Sequence, residues 1–293
     1  MKNQTIHSRD IKVEISPLSG EIMSIKDNDG TEYLWQADPP YWDRRAINLF
    51  PYIGRLTEES YYYKNKRYNM CIHGFLWESV MDVESVSENS VCYFLCDDEA
   101  TRKIYPFPFE VRIKYELNGK KINVEFEVIN TGDECMFFGI GGHPGFRLPL
   151  ESGLVFEDYY LEFGEKCDPV LIGMTDLCFL NGDDSVFPLQ DGKILPLRHD
   201  LFDNDAIILK DMCRKVTLKS NKGKKGVTVS FPDMPYLGFW HNPKTEAPFV
   251  CIEPWTSLPS RDGVIEDIAT QPCLIGLEPD AHYVNTWSIV IHP

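Results

Sequence analysis

Apolar and polar residues alternate with a period of two along most of this chain. From Phe109 to Leu117 the order is Phe-Glu-Val-Arg-Ile-Lys-Tyr-Glu-Leu, Asn118-Gly119 follows, and Lys121 to Val128 alternates back. Period two marks a strand with one wet face, and Asn-Gly is a two-residue turn whose left-handed backbone both residues tolerate. A β-hairpin is therefore predicted there. Ile11 to Ser16 and Glu21 to Lys26 predict a second strand pair bounded by Ser19-Gly20 and Asn28-Asp29-Gly30, and Tyr61 to Tyr68 a third hairpin with a polar tip. Further strands are expected near 79–86, 90–96, 158–163, 206–210, 214–219, 227–231, 236–240, 248–253, 273–278 and 284–291. Asp97 to Lys103 is the one helix-like turn of the first half, stopped by the prolines at 106 and 108. Many short strands with almost no helix predict an all-β chain, a large antiparallel β-sandwich or two stacked sheets. No linker or repeat of fixed period divides it, so residues 1–293 are expected to form a single domain.

Three stretches break the alternation. Between Leu34 and Tyr52, Trp35, Trp42, Arg44, Arg45 and three prolines describe an irregular, aromatic-rich segment able to cover a cleft. Met136 to Gly142 is an apolar run closing in glycines, and it delivers His143 ahead of Pro144 at what reads as a strand end. No Gly-Lys-Ser/Thr follows, and Pro144 and Pro149 forbid the helix a phosphate loop needs. The signal is the imidazole. In Phe249-Val250-Cys251-Ile252-Glu253-Pro254-Trp255 a carboxylate ends an otherwise apolar strand, a costly placement unless the group is used.

Composition narrows the partners. Forty-five acidic residues against twenty-nine basic ones give a net charge of −16, which repels nucleic-acid backbones and anionic membranes and favours a neutral or locally recognised small molecule. The nine cysteines include no Cys-x-x-Cys pair, so free thiols in a reducing compartment are expected. The N-terminus lacks an apolar signal core and no run of 18 apolar residues occurs. A cytoplasmic protein is expected. Histidine and cysteine spacings give no His-x-His or His-x-x-x-His, so neither a catalytic metal nor another cofactor is expected. The basic run Lys219 to Gly226 lies between two predicted strands and reads as a solvated hairpin tip.

Taken in order, Phe50-Pro51-Tyr52-Ile53-Gly54-Arg55-Leu56, Ile72-His73-Gly74-Phe75, Gly141-Gly142-His143-Pro144-Gly145-Phe146 and Ile252-Glu253-Pro254-Trp255 resemble the aldose 1-epimerase (galactose mutarotase) family over nearly the whole chain. They are most similar to a bacterial branch distinct from the best-known galactose mutarotases, which carry an Asn-Arg pair where Leu56-Thr57-Glu58 stands here. The resemblance implies a β-supersandwich that interconverts the α and β anomers of a free aldohexose without a cofactor, as a monomer or homodimer. It implies His143 as general acid, Glu253 as general base, and Arg55, His73 and an aspartate as sugar contacts. Asp205 is the match for that aspartate, with Asp203 as the alternative.

Such chemistry needs one group to take the proton from the anomeric hydroxyl O1 while another protonates the ring oxygen O5. The ring then opens to an aldehyde and recloses after rotation about C1–C2. A carboxylate and an imidazole suit the two roles, and the expectation is a charged Glu253 whose field keeps His143 protonated. Trp240 and Trp255 are placed at a sugar face, the remaining tryptophans in the core. Three other readings share these residues. A hexose-phosphate mutarotase would add an anion pocket from Arg44, Arg45 or Arg261; a non-catalytic carbohydrate-binding β-sandwich would bind without turnover; and a glycosidase would pair Glu253 with Asp205.

Overall fold

The computed structural model describes residues 2–293. Two large antiparallel sheets dominate it. The larger holds nine strands, in the order Ile194–Pro196, Tyr159–Phe163, Lys215–Ser220, Gly226–Ser230, His282–His292, Lys121–Asn130, Phe109–Asn118, Ser90–Cys96 and Asp82–Val86. The smaller holds seven: Ser185–Val186, Val170–Leu171, Ile207–Lys210, Tyr236–Trp240, Phe249–Trp255, Gly141–Arg147 and Ala46–Leu49. A three-stranded sheet (Gln4–His7, Ile11–Ile15, Ile22–Asp27) and two strand pairs complete the sheets. Thr101–Ile104 is the only α-helix among the described residues, at the position of the predicted turn. No helix among them is long and apolar enough to cross a membrane.

The alternation seen in sequence is the alternation of burial. In the hairpin Phe109–Asn118/Lys121–Asn130, Val111, Ile113, Tyr115, Val124, Phe126 and Val128 are buried while the residues between them are half-exposed. Asn118 pairs with Lys121, so the two-residue turn is Gly119-Lys120, one residue later than the predicted Asn118-Gly119, and of these only Gly119 is left-handed, at φ 58°, which glycine accepts at little cost. The buried faces of both sheets contribute to one apolar core, joining Val124 and Phe126 to Leu237, Phe239, Val250 and Ile252.

Ala46–Leu49 lies inside the stretch read as irregular, and it is the edge strand of the smaller sheet. All four of its residues are buried, so no alternation betrays it. The expectation for Gly141 to Gly145 also needs correction. They do not close a strand: Gly141–Arg147 is itself a strand with neighbours on both sides, and His143 stands within it rather than at an end. Its glycines serve close packing. A Cβ on Gly142 would lie 2.5 Å from the Trp287 ring of the opposite sheet, and one on Gly145 would lie 3.2 Å from Trp42. The basic run is a hairpin tip between Lys215–Ser220 and Gly226–Ser230, yet it is not simply solvated, because Lys222 pairs with Asp158 and Lys225 with Asp27.

Gly142→Ala is accordingly expected to destabilise the protein by about 1–3 kcal/mol through overpacking against Trp287. The check is the urea midpoint at constant m value; an unchanged midpoint would mean the ring yields freely.

Candidate active site

Two strands set the centre of the site. The register pairs Gly141 with Trp255 and Gly145 with Cys251, which brackets His143 and Glu253 as cross-strand neighbours, their side chains on the face away from Trp287. Directly opposed residues of antiparallel strands hold their Cβ atoms about 5 Å apart. His143 Nε2 stands 3.1 Å from Glu253 Oε2. Both side chains are buried, at 8% and 1% exposure. The contact misses hydrogen-bonding angles, and neither Glu253 oxygen nor His143 Nδ1 has a hydrogen-bond partner in the protein. Buried polar atoms are rarely left so. The two side chains line a cavity of about 520 Å³.

Aromatic rings fix the imidazole. Trp42 lies over it with centroids 4.8 Å apart, and Trp240 and His73 meet it edge-on at 5.7 Å each. His73 has a left-handed backbone, φ 63°, the sort of strain found at functional sites. Reciprocal bonds with Gly54 hold it: the His73 N–H donates to Gly54 O at 3.0 Å, and the Gly54 N–H donates to His73 Nδ1 at 3.1 Å. Because Nδ1 accepts, the neutral ring carries its proton on Nε2. Only glycine fits at 54 and 74, where φ is 76° and 74° and an added Cβ would strike Pro259 and the Phe50 carbonyl.

Arg55, following Gly54, lines the same cavity, and its backbone oxygen accepts from the Ser260 N–H at 2.9 Å. Asp205 also lines it, with φ 73° at the entry to Ile207–Lys210. Asp203 does not line it, so the aspartate brought to the cavity is Asp205. The seven residues singled out from sequence, His143, Glu253, Arg55, His73, Asp205, Trp240 and Trp255, all line this one cavity. Of the three arginines considered for an anion pocket, only Arg44 faces it. Arg45 donates to Met23 O and Gln36, and Arg261 forms a two-pronged pair with Glu266. Trp42, Trp77, Cys178 and Asn242 also line the wall and were not distinguished in sequence from core or loop. The aromatic, irregular run around Trp42 was the available signal. Sequence spacing also hid one juxtaposition: potential ligand atoms of His143, Cys251 and Glu253 lie within 4.8 Å of one another.

The electrostatics depart from the expected charged pair. Burial drives Glu253 well above the usual carboxyl range, with the Asp205 charge adding to it, and burial drives His143 well below the usual imidazole value, with His73 adding. Both are pushed toward their neutral forms. Protonated Glu253 beside neutral His143 holds the same single proton as carboxylate beside imidazolium, so the pair carries one proton for two basic sites. His73 is lowered to about 3 by burial and by Arg55, which keeps it neutral. Cys178, beside Arg55 and Asp205, is pushed up to about 12 by burial first and then by Asp205, so it is a neutral thiol.

The family model described as Aldose 1-epimerase matches residues 2–265. Protein LacX of Lactococcus lactis subsp. lactis, in its plasmid and chromosomal forms, is 39% identical over 270 residues, spanning 88% of this chain and 89% of the relative. A galactose mutarotase related enzyme from Lactobacillus acidophilus superposes with a TM-score of 0.96 at 36% identity, over 100% of this chain and 98% of that one. A galactose mutarotase-like protein from Lactobacillus casei gives 0.93 at 30%, over 99% and 100%. With a family model spanning most of its length, and relatives this similar along nearly all of theirs, the chain belongs to the aldose 1-epimerase family and has the galactose mutarotase-like fold.

Proposed function

We infer that the protein is an aldose 1-epimerase, a mutarotase that interconverts the α and β anomers of an aldohexose. The observation that carries this reading is the His143–Glu253 pair, buried, partnerless and 3.1 Å apart, facing a cavity that also holds an arginine, a neutral histidine and an aspartate. Exchange at C1 moves one proton off O1 and one onto O5, oxygens attached to the same carbon. Two adjacent groups sharing one proton match that demand. In the ring-opening direction Glu253 as carboxylate takes the O1 proton while His143 as imidazolium protonates O5; on reclosure the roles reverse. Sugar hydroxyls entering the cavity hydrogen-bond to Glu253 and His143, and they favour moving the resting proton from Glu253 to His143.

The remaining groups bind. Arg55 offers a planar fork of donors to adjacent ring oxygens, His73 offers its Nε2–H, and Asp205 accepts from hydroxyls. Trp240 and Trp42 present flat faces suited to the apolar side of a pyranose. A glycosidase built on Glu253 and Asp205 would leave the contact between His143 and Glu253 without a role.

His143→Gln and Glu253→Gln are each expected to slow anomer exchange by about 10²–10⁴-fold while sugar binding survives, measured by two-dimensional exchange NMR and by calorimetry. Loss of binding alone, with turnover per bound sugar intact, would favour a lectin. The rate should show a broad plateau around neutrality. Its acid limb should lie below the ordinary carboxyl value and its alkaline limb above the ordinary imidazole value, because burial resists both the imidazolium of His143 and the carboxylate of Glu253. A maximum confined between those ordinary values would contradict the shared proton.

A neutral His73 also has a stability signature. Its folded value, about 3, lies below the unfolded value of 6.5, so its contribution is complete above pH 6.5 and is lost as pH falls toward 3, at up to about 1.4 kcal/mol per pH unit. His73→Asn keeps an acceptor near the Gly54 N–H and removes the titration. Urea unfolding between pH 6.5 and 4.5 is expected to show a slope shallower by about that amount in the variant, and equal slopes would place a charged His73 in the folded protein.

A further inference from the structure

The strand pairing that brings His143 to Glu253 carries a third reactive side chain to the same place. Cys251 lies two residues before Glu253 on Phe249–Trp255, and side chains two apart on a strand share a face. Its cross-strand partners are Gly145 on one side and Trp240 on the other. Among the described residues, His143, Cys251 and Glu253 form the one group of three or more His, Cys, Asp or Glu donors close enough to share a metal ion, with all the donor atoms within 4.8 Å of one another. All three side chains are buried, and neither Glu253 oxygen nor His143 Nδ1 has a partner in the protein. Anomer exchange uses the imidazole and the carboxylate and leaves the thiol idle.

An imidazole nitrogen, a thiolate sulphur and a carboxylate oxygen are donors that zinc takes, each at about 2.0–2.3 Å, and tetrahedral coordination sets such donors about 3.3–3.6 Å apart. His143 Nε2 and Glu253 Oε2, at 3.1 Å, already stand near that spacing. The sulphur has to close by no more than about 1.3 Å to join them, within the reach of side-chain adjustment. His143 and Glu253 line the cavity and Cys251 does not, so the thiol lies behind the pair and the fourth coordination position opens toward the cavity. Three protein ligands with an open fourth position are the pattern of an exchangeable zinc site. Trp35, Ala247 and Phe249 pack with Cys251, and Trp42 and Trp240 lie against that cluster, an apolar surround that keeps water from a metal–sulphur bond. Magnesium and calcium fit poorly, because they take six or more oxygen ligands. His143 Nδ1 has no acceptor, whereas the imidazoles of resident metal centres are oriented by one, so the set fits a cation that comes and goes rather than a fixed cofactor.

We propose that His143, Cys251 and Glu253 form a site for a thiophilic divalent cation of the zinc or cadmium class, and that its occupation reversibly blocks anomer exchange. The block rests on the mutarotase reading; the site itself does not. A cation bound there takes the lone pairs of Glu253 and His143 that accept the O1 proton and carry one to O5, so neither group can serve. Binding releases the thiol proton and the single proton of the pair to solvent, and the charge of the site is unchanged as the dication arrives. The cation enters through the cavity, where a sugar competes with it for the same atoms.

The test uses the full chain, freed of metal, and two readouts. In two-dimensional exchange NMR with glucose or galactose, whichever exchanges faster, saturating Zn²⁺ is expected to slow wild type by about 100-fold or more, EDTA to restore the rate, and Mg²⁺ to leave it unchanged. Cys251→Ser is expected to exchange at near the wild-type rate without metal and to need about tenfold or more Zn²⁺ for half inhibition. Cd²⁺ is expected to give wild type an ultraviolet thiolate charge-transfer absorption that is reduced in Cys251→Ser. Cys251→Ala, which brings no polar atom into the apolar cluster, is the second variant should serine impair folding. No inhibition by Zn²⁺, inhibition by Mg²⁺ as strong as by Zn²⁺, or inhibition and absorption untouched by either substitution would overturn the proposal alone. Metal-free protein that exchanges neither sugar would overturn the function proposed above, and the Cd²⁺ absorption would still decide the site.

Discussion

One strand register governs this molecule. Pairing Gly141 with Trp255 and Gly145 with Cys251 sets His143 opposite Glu253, and a slip of one residue would turn the whole pocket face toward Trp287 and the core. Each of the two residues is followed by a proline, which removes a backbone donor beside it. Both strands lie inside the sheet, where a missing ladder donor is costly. Burial then acts on the pair. Carboxyl and imidazole both lose water, neither gains a well-aligned partner, and the favoured state is one proton held between two bases. That arrangement costs stability in the empty protein. The sandwich around it supplies the offset.

The two sheets divide the labour. The larger is patterned in strict alternation and closes the core. The smaller carries His143, Glu253 and Trp240 on its strands, and its surrounding loops bring Trp42, Arg44, Arg55, His73, Cys178 and Asp205 to the rim. Several of these loop residues have left-handed backbones, His73, Cys178 and Asp205 among them. The reacting groups stand on rigid strands, whereas the groups that would choose the sugar stand on loops. This separation allows sugar preference to vary across related chains while the chemistry stays fixed.

Much of the fold could be read from sequence because half-buried strands announce themselves. The Phe109–Asn130 hairpin was legible from its alternation, though its turn is Gly119-Lys120 rather than Asn118-Gly119. Ala46–Leu49 was not, since a strand buried on both faces has no polar phase. Gly141 to Gly145 misled for a related reason: glycines beside a proline suggest a turn, but here they make room for Trp287, Trp42 and Trp35, large side chains distant in sequence. His143 and Glu253 could be singled out as costly placements, and ordered motifs tied them to Arg55, His73 and Asp205. Their ionisation could not be foreseen. It depends on how completely the fold removes water, and burial reversed the expected charges. Arg44 looked no different from Arg45 until the structure gave Arg45 its carbonyl and left Arg44 without one.

The shared proton is the claim on which the mechanism turns, and the nitrogen shifts of His143 report it directly. In ligand-free protein labelled with ¹⁵N-histidine, with His143→Gln used to assign the signals, His143 is predicted to show the unequal nitrogen shifts of a neutral imidazole at pH 7. Two similar shifts typical of imidazolium at that pH would contradict the account, because they would mean that the buried pair holds separated charges without a sugar.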